Sequence, residues 1–346
     1  MAAYGGTPGR SAEAAVPSGR VTLRDIAAAV GVSISTASRA LSGAPGISGD
    51  VRLRIQSAAE RLNYTGAFAG TATVISDLQV ADGSAGEFIL AVQRGMEKRA
   101  RELGLALSVI HTGPSSIAWP EPDEATSGYL LLSMQREDLI QHLSSRAIPA
   151  VIVNGREPLM RLDAVAPANR TGGYLSAHHL IELGHRRILT LAHSPRPTIR
   201  DRMAGSRRAM QEAGLEKSID ALVIELEAMR TDLAYKAVKE RIEAKGGCDF
   251  TAILCFNDSC AFGAMAALTE AGLSVPGDIS VVGFDDIPTA ALTSVPLTTI
   301  RVDAEDIGAR SVSRLIERIR SQDKLATYTE TAVKLVVRDS TGPARR

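Results

Sequence analysis

A chain of 346 residues exceeds one ordinary hydrophobic core and predicts two or three domains. Lysine plus arginine balances aspartate plus glutamate at 39 each, so the whole molecule is no magnet for polyanions, and any nucleic-acid contact must come from a local patch. Three cysteines, Cys248, Cys255 and Cys260, are too few for a disulfide framework and lack a second Cys or His pair at metal-ligand spacing, so reduced thiols, no metal and no cofactor are expected.

Residues 1–20 are rich in Gly, Ala, Ser and Pro and read as a disordered tail. Thr22 followed by Asp25 predicts a capped helix start, and Leu23, Ile26, Ala27 and Val30 carry the spacing of one buried helical face. Gly31 can stop that helix in the left-handed conformation. Ser33 caps a second helix with Ala37, Ala40 and Leu41 inward, which leaves Ile34, Ser35, Ser38 and Arg39 outward. Gly43, Pro45 and Gly46 end it. Ser48 caps a third helix with Val51, Ile55, Ala58, Ala59 and Leu62 on one stripe. Two short helices about a tight glycine turn fit a helix-turn-helix, with boundaries at 21–64. Short outward side chains let such a helix enter a major groove, and arginine can bind guanine bidentately. The pattern by itself fits equally a three-helix bundle with a solvated face. The seven arginines between Arg10 and Tyr64 against four acidic residues give only a modest positive lean.

Residues 65–72 are small and uncharged and read as a linker; no Lys or Arg occurs between Arg61 and Arg94. From residue 73 to 346, short apolar runs such as TVISD, GYLLLS, AVIVN, RILTLAH, AILCFND and ISVVGFDD alternate with amphipathic segments at 89–103, 172–183 and 258–271. That alternation predicts α/β architecture with two parallel sheets side by side. Several runs stop at a polar residue: Asp77, Asn154, His193, Asn257 with Asp258, and Asp285 with Asp286. Each is an ordinary turn residue. As a set they fit a cleft for a small polar ligand at the carboxyl ends of parallel strands. Phosphate-loop, dinucleotide, zinc-protease and serine-hydrolase motifs are absent, so no enzyme is expected. His178 and His179 read as helix packing. No stretch resembles a signal peptide or a membrane span, which predicts a cytoplasmic protein with no membrane contact.

VTLRDIAAAVGVSISTASRALSG, with RIQSAAERLNY after it, closely resembles the DNA-binding headpiece of the lactose-repressor/galactose-repressor (LacI/GalR) family. The body agrees through AHHLIELGHRRILTLAH, RDRMAGSRRAMQEAGL, FNDSCAFGAMAALTEAGLSVPGDISVVGFDDIP, PLTTI and LVVRDSTGP. The resemblance implies a homodimeric transcription regulator, usually a repressor, on near-palindromic operator DNA, with a periplasmic-binding-protein-like core around a sugar-like effector. It places Ile34, Ser35 and Arg39 at base-reading positions and Thr22, Ser33, Thr36 and Ser38 at phosphate contacts. In the core it places Phe88, Asn154, Arg202, Asn257 and Asp285 at the effector. The stretch NYTGAFAGTATVISD departs from the family: it is shorter, with no proline, leucine or cation, and only Phe68 is a candidate for the apolar minor-groove wedge. The loop LQVADGSAGEF is longer, and EAMRTDLAY holds no aromatic at the expected cleft position near Arg230. The ending TGPARR carries no leucine heptad, which favours a dimer over a tetramer. Two other readings stay open: a small-molecule binder with weakened DNA binding or none, and a cleft enzyme using Asp285 or Asp258.

Overall fold

A computed structural model describes residues 21–41, 46–62, 64, 70–77, 86–112, 126–134, 136–215, 222–321 and 325–345. The expected tail at 1–20, most of the expected linker with Phe68, and the long loop after the first core strand lie outside the described residues. The chain divides into two compact units, Met1–Ala69 and Gly70–Arg346.

In the first unit, α1 (Leu23–Val30), α2 (Ile34–Leu41) and α3 (Gly49–Arg61) enclose a core of Ile26, Ala27, Val30, Ala37, Ala40, Leu41, Ile55 and Ala58. The caps form as the sequence predicts. The Thr22 hydroxyl accepts from the Asp25 N–H, and the Asp25 carboxylate accepts the Thr22 N–H at 2.7 Å, a closed capping box. Gly31 ends α1 at φ 74°, where any other residue would be strained. The Ser33 hydroxyl accepts the Thr36 N–H at 3.0 Å and opens α2. Two arginines that only looked like part of a positive lean are structural. The Arg54 guanidinium donates to the Val30 carbonyl at 2.9 Å and that of Arg52 to the Ala40 carbonyl at 3.1 Å, so α3 satisfies the open carboxyl ends of both partner helices. Thr22→Ala is expected to cost about 1 kcal/mol of helix stability. Amide hydrogen exchange along α1 in the full chain should then quicken about fivefold.

The second unit is a two-lobed α/β body. One sheet has the order β11-β5-β4-β3-β1-β2 and the other β7-β6-β8-β9, all pairs parallel. The first contains β1 (Gly70–Asp77), β2 (Leu105–Thr112), β3 (Thr126–Leu132), β4 (Ala150–Val153), β5 (Asp163–Pro167) and β11 (Tyr328–Thr331). The second contains β6 (Ile188–Ala192), β7 (Val223–Glu225), β8 (Ala252–Cys255) and β9 (Ser280–Val282). A separate antiparallel pair joins β10 (Thr299–Val302) to β12 (Val333–Val336). Helices α4 (Gly86–Leu103), α5 (Glu137–Ser145) and α10 (Ala304–Arg320) serve the first lobe. Helices α6 (Asn169–Glu182), α7 (Pro197–Glu212), α8 (Thr231–Lys245) and α9 (Asp258–Glu270) serve the second. Strands β4, β5, β6 and β8 are buried throughout, as parallel strands covered on both faces must be. The first core strand starts at Gly70, paired with Leu105, so residues 70–72 of the expected linker are strand. Their small side chains pack without a periodic apolar signal.

The chain passes between lobes after β5, after β10 and after β11. Each lobe holds a helix pair in unusually close approach. A β-carbon at Gly173 would lie 1.9 Å from the Arg202 carbonyl oxygen, and one at Gly205 would lie 1.9 Å from that of Arg170. Gly95 and Gly308 do the same for α4 and α10. No helix among the described residues is long and apolar enough to cross a membrane.

Candidate functional site

In the first unit, α2 turns Ala37, Ala40 and Leu41 inward and leaves Ile34 45 % exposed. Ser33, Ser35 and Arg39 are exposed beside it, while Thr36 and Ser38 are half-buried. The Ser33 and Thr36 hydroxyls lie 2.8 Å apart, which fixes both at the start of the helix. Thr22 is exposed and held by Asp25. All seven predicted DNA-contact residues therefore sit along α2 or at the entries of α1 and α2.

In the second unit the carboxyl ends of the two sheets face a common cleft of about 640 Å³. Both sheets reverse strand order there, at β1 between β2 and β3 and at β6 between β7 and β8, the position at which open α/β sheets bind ligands. All five predicted effector residues line it: Phe88 at the start of α4, Asn154 after β4, Arg202 in α7, Asn257 before α9 and Asp285 after β9. His193 after β6 joins them. Ser133, Asn154 and Asp285 hold positive φ of 52°, 56° and 118°, a backbone strain that aims strand-end side chains into the cleft.

Arg202 is 4 % exposed and is the hub. Its guanidinium stacks on the Phe284 ring at 3.6 Å, donates to the Asn169 side-chain oxygen at 2.8 Å and to the Phe256 carbonyl, and meets Asp285 at 3.5 Å. Burial pulls its pKa down to about 10, against the attraction of Asp285, so it stays cationic at neutral pH. Burial pushes Asp285 up to about 6, opposed by Arg202 and Arg196. Asp258 is fully buried behind the cleft, with the Thr299 hydroxyl at 2.5 Å and the Ile287 N–H at 3.0 Å. Burial and the nearby Asp285 raise its pKa well above the carboxylate range. Asp286 turns away to Arg301 at 2.6 Å and Arg338 at 2.5 Å.

Asn154 donates to the Ser133 hydroxyl at 3.0 Å, but its buried Oδ1 has no partner in the protein. A buried acceptor left so is costly, which fits an atom reserved for a ligand donor. Asn257 differs. Its Oδ1 accepts the Cys260 N–H at 2.9 Å and its amide donates to the Met229 carbonyl at 3.0 Å, so it serves chiefly as the cap of α9. Sequence reasoning missed Arg136, Arg196 and Arg200 and the apolar floor of Met134, Phe256 and Ile287, all of which line the cleft. Arg230 and Met229 occupy the wall where an aromatic was sought.

A helix-turn-helix unit joined to a two-lobed ligand-binding body defines a DNA-binding regulator of the periplasmic-binding-protein-like type. Residues 22–66 match the model of bacterial regulatory proteins of the lacI family, and residues 177–341 match a periplasmic binding protein-like domain. In both parts the chain is similar to the LacI family of transcriptional regulators. It is 29 % identical to the HTH-type transcriptional regulator DegA of Bacillus subtilis, over 94 % of this chain and 99 % of that one. It is 27 % identical to the HTH-type transcriptional repressor PurR of Photobacterium profundum, over 92 % and 98 %. Among solved structures it is similar to a transcriptional regulator CelR–cellobiose complex, with TM-score 0.70, 28 % identity, and coverage of 93 % of this chain and 100 % of that chain. It is also similar to the lac repressor dimer bound to operator and an anti-inducer, with TM-score 0.67, 26 % identity, and coverage of 94 % and 100 %.

Proposed function

We propose that the protein is a repressor that binds a near-palindromic operator as a homodimer and changes its operator affinity when a small polar effector enters the cleft. The observation that carries this reading is the cleft itself: two lobes bring Phe88, Asn154, Arg202 and Asp285 around one space, in a chain that also carries a helix-turn-helix. The headpiece is residues 21–64, and the effector core begins with β1 at Gly70 and runs to residue 346. Two-fold symmetry of the dimer calls for a two-fold operator. The DNA-binding and sugar-bound relatives support the partner classes. Ile34, Ser35 and Arg39 read bases, and Thr22, Ser33, Thr36 and Ser38 contact phosphates. Phe88 packs on the effector body, while Asn154, Arg202 and Asp285 hold its polar groups; Asn257 shapes the wall. An effector that prefers one cleft state shifts the DNA-binding equilibrium only by its differential affinity, typically about 1–3 kcal/mol.

The Arg39 assignment is tested by Arg39→Ala, which should cost about 1–3 kcal/mol on the operator and relax choice at one base pair per half-site. Unchanged discrimination across an operator-variant panel would remove that role. The cleft assignment has a pH signature. An effector hydroxyl that donates to the Asp285 carboxylate favours its ionised form, so binding releases a proton and affinity falls as pH drops through about 6. Calorimetric titrations from pH 5 to 7.5 check it; a flat affinity would contradict the contact.

The shortened linker favours one other reading, a small-molecule binder whose DNA binding is weakened. It predicts the same effector titration but no selected DNA sequence.

A further inference from the structure

Resting on the effector-cleft reading above, we infer that Asp286 is a positioning residue for the effector: it does not meet the ligand, but fixes Asp285, which does, to the two strands that connect the lobes.

The backbone carries the first observation. Asp285 and Asp286 follow β9 as two successive residues at positive φ, 118° and 56°. Residues other than glycine rarely take that conformation, and two in a row persist only where the surroundings over-determine them. The turn sends the two carboxylates to opposite sides. That of Asp285 lines the cleft beside Arg202. That of Asp286 is 5 % exposed and enters a fork of two guanidinium groups, Arg301 at 2.6 Å and Arg338 at 2.5 Å. A buried carboxylate with a charge-assisted bond on each oxygen is held in one place.

The fork belongs to the connections between lobes. Arg301 lies in β10, and the residue after that strand, Asp303, caps α10 of the first lobe. Arg338 stands two residues beyond β12, the strand by which the chain returns from β11 to the second lobe. Arg338 is itself held: its guanidinium donates to the Leu297 carbonyl at 2.7 Å and its N–H to the Thr298 hydroxyl at 2.9 Å. The backbone of Asp285 makes the same attachment. Its N–H donates to the Ile300 carbonyl at 2.8 Å, and its carbonyl accepts the Val302 N–H at 3.2 Å. The Ile287 N–H then donates to the Asp258 carboxylate at 3.0 Å. The cleft carboxylate is thus carried on the crossing strands rather than on a free loop. The Asp286 fork is the part of that attachment made by side chains outside the cleft, and supporting groups of this kind set the geometry of the group they hold.

The test uses the purified full chain and four variants: Arg301→Gln, which removes one arm of the fork at an exposed side chain, Asp286→Asn, Asp285→Asn, and Asp285→Asn with Asp286→Asn. The first readout, with no sugar added, is amide hydrogen exchange at Asp285 and Val302. Arg301→Gln and Asp286→Asn should each quicken both amides about tenfold while β6 and β8 keep the parental rate. Unchanged exchange at the two amides overturns the inference, and so does equal quickening across β6 and β8, which is general destabilisation. The second readout is calorimetric affinity for whichever of ribose, glucose, fructose and cellobiose shifts the melting of the parent at the lowest concentration. Asp286→Asn should weaken that sugar about tenfold where Asp285 is present, and by less than about twofold in the Asp285→Asn background. An equal loss in both backgrounds overturns the inference, because Asp286 then does not act through Asp285. A parent that responds to none of the four sugars is a failure of the sugar reading of the cleft; the exchange readout, which needs no ligand, tells that failure apart from failure of the positioning role.

Discussion

Replacing Asp163 by alanine is expected to destabilise the two-lobed unit by about 3–5 kcal/mol, the cost of leaving buried cationic partners uncompensated. Asp163 opens β5 and is fully buried. Its carboxylate accepts from Arg318 at 2.6 Å, from Arg314 at 2.9 Å and from the Thr327 N–H at 2.7 Å, so one side chain ties β5 to α10 and to the segment entering β11. Arg314 and Arg318 are themselves mostly buried. Burial alone would push this carboxyl up. The hydrogen bonds from Arg318, the Thr327 N–H and Arg314 together outweigh it and hold the group below its usual value. A depressed native pKa gives stability that is present above the unfolded value of about 3.9 and is lost as pH falls below it. Urea titrations at pH 7 should show the Asp163→Ala loss, and the gap between parent and variant should narrow below about pH 4. A variant within 1 kcal/mol of the parent at pH 7 would contradict the keystone role.

The second large effect is expected at Gly173. With the Arg202 carbonyl 1.9 Å from where a β-carbon would stand, Gly173→Val forces α6 and α7 apart. Overpacking of this kind costs about 1–3 kcal/mol and here the upper end is expected, because the obstacle is backbone rather than a flexible side chain. The displaced segment carries Arg202, whose guanidinium is fixed by Phe284, Asn169 and Asp285. Effector affinity should therefore fall together with stability, by tenfold or more. Thermal melting with and without effector measures both; a valine variant of parental stability and response would show that the two helices do not pack as described.

The helix-turn-helix was legible because three short helices announce themselves by spacing and by caps. Thr22, Gly31 and Ser33 do in the structure what their residue types predict. The parallel sheets were legible where strands are continuous apolar runs, as in AVIV and AILC. Strands β5 and β7 were not. DAVAP begins with a buried aspartate and ends with proline, and VIE is three residues long, so neither carries a periodic signal. The antiparallel pair β10–β12 closes across the whole of α10, and the return strand β11 pairs with β5 more than a hundred residues away in the sequence; no local pattern encodes either.

The cleft was legible through the polar ends of strands, since Asn154, His193, Asn257 and Asp285 all reach it. What each does there was not. Asn257 lines the cleft and also caps α9, and Asp258 lies behind the cleft wall. Adjacent positions at a strand end point apart, as Asp285 and Asp286 do, and only the fold decides which side chain faces the ligand. The cleft arginines were hidden for a related reason. Arg136, Arg196 and Arg230 each sit just before a helix, in positions where arginine is ordinary, and their convergence depends on how two lobes meet.

Selection of random DNA fragments on the purified full chain at near-physiological salt, read by sequencing, tests the claim that the protein is a sequence-specific regulator. An enriched near-palindrome is the predicted result; it would supply the operator on which Arg39 and the effector can be tested. Salt-sensitive binding with no enriched sequence, whether the cleft is empty or filled by its effector, would contradict the claim and leave a ligand-binding protein whose headpiece does not read DNA.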